Sequence, residues 1–147
     1  MNILQNLNSR LNFYDKCERY AKATEEDIQK LKSYSSIELP KDYLDFLKEI
    51  MGVAFVIDDY PTFEFWCVAD ILNQKRDYLC LEENLPDSLV IGTDMGDFLF
   101  LYGHGKEGFG LYYVENSCVT YGDAKKIANT LTEFLVDGVG FDGCFDY

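Results

Sequence analysis

The sequence predicts an α+β domain in which helices pack on one face of an antiparallel β-sheet. Apolar residues recur every three or four positions near both ends of the chain, alternating β-forming runs fill its middle, and short glycine-bearing connections separate those runs. The 147 residues suffice for a single domain, 1–147, with one hydrophobic core. We expect about five or six strands, with N-terminal helices and a C-terminal helix packed on the sheet.

Helix signals dominate the first third of the chain. Apolar residues recur at helical spacing from about residue 2 to residue 22, which predicts a first helix. Thr24 precedes three acidic residues and is the expected N-cap of a second helix. Pro40 suits the first turn of a third helix, whose apolar stripe begins at Tyr43, and Gly52 stands where a left-handed C-terminal cap would fall.

The middle of the chain alternates between β-forming runs and turn residues. Short glycine-bearing connections between such runs indicate antiparallel hairpins. Residues 69–81 have a mixed pattern that favours a short helix. The predicted strands are VAFVI (53–57), TFEFWCV (62–68), SLVIGT (88–93), DFLFLY (97–102) and FGLYYVE (109–115), with SCVTYG (117–122) as a further candidate.

A last helix is predicted near the C-terminal end of the chain. Asp123 is its expected N-cap, and Gly138 is placed to end it. The acidic and aromatic segment after Gly138 has no pattern that favours one structure. The apolar face of the predicted helix consists of Ile127, Leu131, Phe134 and Leu135.

Charge and cysteine usage narrow the function classes. Thirteen basic against twenty-six acidic residues leave a net charge of −13, which argues against direct binding of nucleic acid or anionic lipid and fits either a basic partner or simple solubility. The five scattered cysteines form no C-x-x-C or Cys/His cluster, so we expect reduced thiols and no zinc site. The longest apolar run, 50–57, is far shorter than a membrane span, and nothing near Met1 resembles a signal peptide, so we expect a cytoplasmic protein.

The stretch TDMGDFLFLYGHG (93–105) raises the question of a metal or catalytic site. Asp94 and Asp97 supply two carboxylates, whereas a calcium loop needs about 6–8 oxygen ligands, and the glycine between them favours a tight turn held by local hydrogen bonds. His104 is the only histidine, and no G-x-S-x-G motif accompanies it, so a solvent-facing position in a hairpin loop is expected. We therefore predict no catalytic residue, no cofactor and no metal.

Four segments in order resemble a known family. LPKDYLDFLKEIMG (39–52) resembles the leading signature of the SMI1/KNR4 family, also called the SUKH superfamily. LPDSLVIGTDMGDFLFLYG (85–103) is similar to its central hairpin, in which an acidic, glycine-bearing turn joins two strands. FGLYYVE (109–115) resembles the following strand and IANTLTEFLVDG (127–138) the closing helix, so the likeness spans residues 24–138.

The resemblance implies an α+β fold without known catalysis. Most bacterial members resemble immunity proteins, which bind and neutralise a toxin, and many of those toxins are nucleases. Eukaryotic relatives resemble regulatory scaffolds, so the fold alone does not fix the task. We expect an intracellular bacterial immunity protein that blocks a basic toxin domain by stoichiometric inhibition. A regulatory protein-binding module without a toxin partner is the alternative, and the oligomeric state stays open.

Acidic and aromatic side chains exposed together are the candidates for contacting that partner. Aromatic residues anchor interfaces, and acids steer basic partners. For each candidate the alternative is an ordinary place in the core or a solvated charge. The candidate partner-binding residues are Asp58, Asp59, Tyr60, Glu64, Trp66, Asp94, Asp97, Tyr102 and Tyr112.

Overall fold

The structure is a computed structural model that describes residues 2–15, 21–58, 62–77, 84–94, 96–115 and 121–143. Within these residues seven strands form one antiparallel sheet, in which each strand pairs with the next along the chain. The strands are β1 (Leu11–Asp15), β2 (Val53–Ile57), β3 (Thr62–Phe65), β4 (Ser88–Thr93), β5 (Phe98–Gly105), β6 (Gly108–Glu115) and β7 (Lys125–Ala128). The helices are α1 (Glu25–Tyr34), α2 (Lys41–Glu49), α3 (Val68–Asp77) and α4 (Leu131–Leu135), and single 3-10 turns occupy Leu4–Asn6 and Phe141–Gly143. The predicted α+β class is confirmed, with one strand more than the upper expectation.

The predicted helix over residues 2–22 is wrong. The chain forms a single 3-10 turn at Leu4–Asn6 and then β1, while residues 16–20 lie outside the described part of the chain. Every residue of β1 pairs with β2, from Leu11 opposite Ile57 to Asp15 opposite Val53. The hydrogen bonds of this ladder stabilise a strand here despite the helical spacing of the apolar residues. Intrinsic propensity is a weak preference, and pairing with a distant strand overrides it.

The second and third predicted helices are confirmed. A capping box begins α1: the Thr24 hydroxyl accepts from the backbone N–H of Asp27 at 3.1 Å, and the Asp27 carboxylate accepts from the backbone N–H of Thr24 at 2.9 Å. Pro40 is the residue before α2, one position earlier than expected. Gly52 has φ of +67°, a left-handed conformation that glycine adopts without strain and that turns the chain into β2.

The central strands agree with the sequence prediction, except that β3 ends early. The predicted strand 62–68 stops at Phe65, and its last residue already begins α3, which is the short helix expected near residues 69–81. The backbone N–H of Trp66 still donates to the carbonyl of Ile91 at 2.8 Å, so the chain stays beside β4 for one residue after β3 ends.

The C-terminal helix is shorter than predicted, and Asp123 is not its cap. Lys125–Ala128 form β7 along β6, and α4 begins only after Thr130, whose hydroxyl accepts from the backbone N–H of Glu133 at 3.1 Å. Gly138, with φ of +74°, follows the helix as expected. The candidate strand 117–122 falls mainly on residues 116–120, which are not described.

The helices pack on a phenylalanine-rich face of the sheet, and successive residues of β4, β5 and β6 are buried on both faces. Phe134 of α4 packs on three sheet phenylalanines, with ring centroids 5.6 Å from Phe63, 6.5 Å from Phe65 and 5.8 Å from Phe100. Phe46 of α2 covers the neighbouring part of the face, 6.4 Å from Phe55. Such edge-to-face and offset ring contacts add to the stabilisation that burial gives. In the described part of the chain no helix is long and apolar enough to cross a membrane.

Candidate functional site

One end of the sheet brings together acidic residues from distant parts of the sequence. In an antiparallel sheet of this order, the β2–β3 turn, the β4–β5 turn and the C-terminal end of β6 meet at the same end. The cross-strand pairs Glu64–Thr93 and Phe98–Glu115 fix this alignment. We call this region the acidic end; its acidic residues are Asp58, Glu64, Asp94, Asp97, Glu115 and Asp142.

Arg10 links two of these acids. Its guanidinium donates to the Asp58 carboxylate at 3.1 and 3.3 Å and lies 3.9 Å from the Asp142 carboxylate. It also lies over the Phe141 ring, 5.7 Å from the centroid. These charged groups are well exposed, so the ion pairs add little stability. They connect the residue after β2, the start of β1 and the C-terminal segment.

The acidic end keeps a negative balance. On its described strands and turns the bases are Arg10 and Lys125, the latter opposite Tyr113 at the start of β7. Asp94 is buried, but exposed Asp123 lies two residues before Lys125, so six exposed or half-buried carboxylates accompany two cations in a chain whose net charge is −13. A surface of one predominant sign attracts partners of opposite charge and speeds their association.

Asp94 organises the β4–β5 turn. It is only 6% exposed, and one carboxylate oxygen accepts from the backbone N–H groups of Gly96 at 2.8 Å and Phe98 at 3.1 Å. The other oxygen accepts from the Tyr113 hydroxyl at 2.8 Å. The interpretation of Asp94 as a turn residue is therefore confirmed, whereas the expectation that it is an exposed partner contact is wrong. No group of three His, Cys, Asp or Glu side chains that could hold a metal occurs in the part of the chain that the structure describes.

Asp97 differs from Asp94 in being presented to solvent. It is exposed at the tip of the turn, and its neighbour Phe98 stacks on Tyr113 with centroids 4.4 Å apart and an interplanar angle of 11°. The Asp94 hydrogen bonds and this ring stack fix the backbone that carries Asp97. The carboxylate of Asp97 is thus presented beside a backbone that these contacts support.

Glu64 and Trp66 contact each other, yet Trp66 does not lie on the surface. The indole N–H donates to the Glu64 carboxylate at 3.3 Å, and Trp66 is 8% exposed within the core cluster. The expected alternation that would place both on one strand face fails because β3 ends at Phe65. Burial in the core was the alternative interpretation of Trp66, and it is correct.

Tyr102 and Tyr112 are also buried, at 0% and 1% exposure, so the expectation that they are exposed contacts is wrong. They lie on opposite faces of the sheet, since Tyr102 pairs with Leu111 and Tyr112 with Leu101. The Tyr102 hydroxyl accepts from the backbone N–H of Leu131 at 2.8 Å and so caps α4; burial raises the pKa of Tyr102 well above its ordinary value.

The fold can now be compared with known families. The model of the SMI1/KNR4 family (SUKH-1) matches residues 22–137. The chain belongs to the SMI1/KNR4 family. The four helices and six strands, β2–β7, lie within the matched residues of this SMI1/KNR4 chain, whereas β1 precedes them. No curated protein matches the chain.

The structure of this SMI1/KNR4 chain gathers part of the predicted set and adds residues that the sequence did not single out. Asp59 and Tyr60 lie outside the described residues, while Asp58 is exposed with φ of +57°. Arg10, Glu115 and Asp142 were missed. The register of the β5–β6 hairpin could have placed Glu115 beside the β4–β5 turn. Arg10 and Asp142 are brought to the acidic end only by the tertiary fold. His104 is exposed as expected, but it lies in β5 opposite Phe109 and not in the loop, with its ring 4.7 Å from that of Phe109.

Proposed function

We propose that this SMI1/KNR4 protein is an immunity protein, which binds a basic toxin domain one to one in the cytoplasm and inhibits it. The acidic end is the proposed contact surface. Family membership supports toxin binding as the task, and the observation that supports this surface is the gathering of carboxylates at one end of a protein with a net charge of −13. The proposed mechanism is occlusion of the toxin, and it requires no catalysis by this chain.

The chemistry of the acidic end suits an enzyme that acts on phosphates. A nuclease cleft carries Lys and Arg side chains for its substrate, and carboxylates can pair with the same groups by charge-assisted hydrogen bonds. Asp97 stands on the fixed turn, and Asp142 is fully exposed at the rim. Asp97 belongs to the β4–β5 turn and Asp142 to the C-terminal 3-10 turn, so together they would cover such a cleft rather than contact a single point.

Association kinetics of charge-reversal variants test the proposed surface. The partner for this test is any toxin-like domain found encoded beside this gene, in a catalytically inactive form. Asp97→Lys combined with Asp142→Lys should slow association at low salt and flatten its salt dependence, because long-range attraction sets the on-rate. Asp97→Lys alone is compared with Asp70→Lys, which makes the same change of net charge at exposed Asp70 of α3, outside the acidic end. Equal rates for both variants would remove the acidic end from the proposal.

The alternative is a regulatory module that binds a host protein. In that case the neighbouring toxin domain forms no complex with this chain, and deletion of the gene disturbs growth in cells that lack the toxin. A pull-down from the source organism would then identify a housekeeping partner. A salt-sensitive complex of one copy of each chain with the toxin domain would instead support immunity.

A further inference from the structure

An aromatic ring stands among the carboxylates of the acidic end. Phe98, the first residue of β5, is half-buried, and its cross-strand partner on β6 is exposed Glu115. Cross-strand partners project from the same face of a sheet, so β6 carries the Glu115 carboxylate beside the Phe98 ring. Asp97 is exposed and directly precedes Phe98 at the tip of the β4–β5 turn. The acidic end therefore combines a partly exposed aromatic ring with two exposed carboxylates.

Phe98 is held in place through its backbone and through one neighbouring ring. Its backbone N–H donates to the Asp94 carboxylate at 3.1 Å, and its carbonyl accepts from the Thr93 hydroxyl at 2.8 Å. Its ring stacks on that of Tyr113, with centroids 4.4 Å apart. Lys125 pairs with Tyr113 from β7, on the side of β6 away from Phe98. The accessible part of the Phe98 ring is therefore carried by a supported strand end, with this cation of the chain one strand farther away.

The chain binds one of its own guanidinium groups with the same combination of an aromatic ring and two carboxylates. Arg10 donates to the Asp58 carboxylate at 3.1 and 3.3 Å and lies 3.9 Å from that of Asp142. Its guanidinium carbon lies 5.7 Å from the centre of the Phe141 ring. A guanidinium is planar and weakly hydrated, so it can lie against a ring while its N–H groups bond to carboxylates, whereas the ammonium of lysine is compact and strongly hydrated. This combination of groups therefore favours arginine over lysine.

We propose that Asp97, Phe98 and Glu115 form an arginine-binding position, in which an arginine side chain of the basic partner packs against the Phe98 ring and donates to the two carboxylates. The inference rests on the proposed function, which makes the partner basic, and it adds which cation the partner supplies. Phe98 thereby takes the role of aromatic anchor that the sequence assigned to one tryptophan and two tyrosines, all of them buried. A lysine at the same place gains the attraction of the carboxylates without the contact with the ring.

Two short peptides of equal charge provide the test. Hexa-arginine and hexa-lysine, both with blocked ends, are titrated into the chain at about 50 mM NaCl, and calorimetry gives their affinities. Hexa-arginine should bind more tightly, and Phe98→Leu should reduce its advantage by about 2- to 5-fold while leaving the affinity for hexa-lysine unchanged. Asp97→Asn should weaken the binding of both peptides, because both are attracted by its charge.

Two variants separate recognition by the ring from a general loss of structure. Phe98→Tyr retains a ring and should retain the preference for hexa-arginine. Phe13→Leu is the matched control, because it removes a ring that is 37% exposed on β1 and pairs with Phe55 instead of an acid, and it should leave the preference unchanged. Equal affinities of the unmodified chain for the two peptides, or a preference that survives in Phe98→Leu, would overturn the proposal.

The peptide titrations and the toxin experiments can fail separately. A toxin domain that is bound and inhibited by a chain without any preference for arginine would keep the proposed function and overturn the arginine-binding position. A preference that Phe98→Leu removes, in a chain that inhibits no toxin domain, would support the arginine-binding position and contradict the immunity function.

Discussion

Replacement of Asp94 tests how the acidic end is built. Asp94→Ala leaves three donors without their acceptor: the N–H groups of Gly96 and Phe98 and the hydroxyl of Tyr113. A hydrogen bond to a charged group contributes about 1.5–3 kcal/mol, but water can replace the carboxylate at exposed Gly96. Tyr113 is 6% exposed and Phe98 is half-buried, so these two donors are the costly ones. We expect a total loss of about 3 kcal/mol of unfolding free energy.

Urea unfolding measures this loss as a shift of the midpoint at constant slope. Asp94→Asn keeps an oxygen for the two backbone donors and presents its N–H₂ to the Tyr113 oxygen, so it should cost about 1 kcal/mol. Asp97→Ala is the control and should remain within about 0.5 kcal/mol, because Asp97 is exposed. If Asp94→Ala is as mild as Asp97→Ala, the turn does not depend on this carboxylate. If Asp94→Asn is as damaging as Asp94→Ala, the charge itself has a role that hydrogen bonding does not explain.

Four further outcomes are expected. Tyr43→Phe should raise the unfolding free energy by about 1 kcal/mol, because the buried Tyr43 hydroxyl has no hydrogen-bond partner within the described residues; a lower urea midpoint would contradict this. Thr24→Ala removes the capping box of α1 and should lower the thermal midpoint, with a cost of about 1 kcal/mol, whereas an unchanged midpoint would mean that the cap is dispensable. Burial raises the pKa of Tyr43 and Tyr102, so the folded state keeps protons that the unfolded state loses above pH of about 10. The contribution of these two tyrosines to stability should therefore be constant below that pH and fall above it, and Tyr43→Phe should flatten the fall in urea midpoints measured at pH of about 9 to 11. Asp97→Lys alone should slow association with a basic partner about 2- to 5-fold at low salt in stopped-flow measurements, and Asp70→Lys should have a smaller effect.

Local signals predicted those parts of the fold in which neighbouring residues decide the structure. The Thr24 cap, the left-handed Gly52 and the hairpin strands β4, β5 and β6 were all evident in the sequence, because caps, turns and alternation depend on spacing. The wrong predictions concern segments whose structure is determined by pairing with a strand distant in sequence. β1 has helical spacing but pairs with β2, and β7 carries part of a predicted helix face but pairs with β6.

The candidate site was predictable in part for the same reason. Asp94 and Asp97 were assigned to a turn from the glycine between them, and the turn is present. Tyr102 and Tyr112 were expected at a surface, but their strands lie inside a seven-stranded sheet, where both faces are covered. Arg10 could not be foreseen at this site, since its partner Asp58 is far away in sequence and only the meander brings them together.

Cell survival with the neighbouring toxin domain tests the central claim most directly. The toxin domain would be induced in a host that expresses the unmodified chain, the Asp70→Lys control or the variant with Asp97→Lys and Asp142→Lys. The proposed function predicts survival with the first two and killing with the third, provided that the three chains fold and accumulate equally. Killing in the presence of the unmodified chain would contradict the immunity function itself. Survival with all three would keep that function and exclude the acidic end as the surface that carries it.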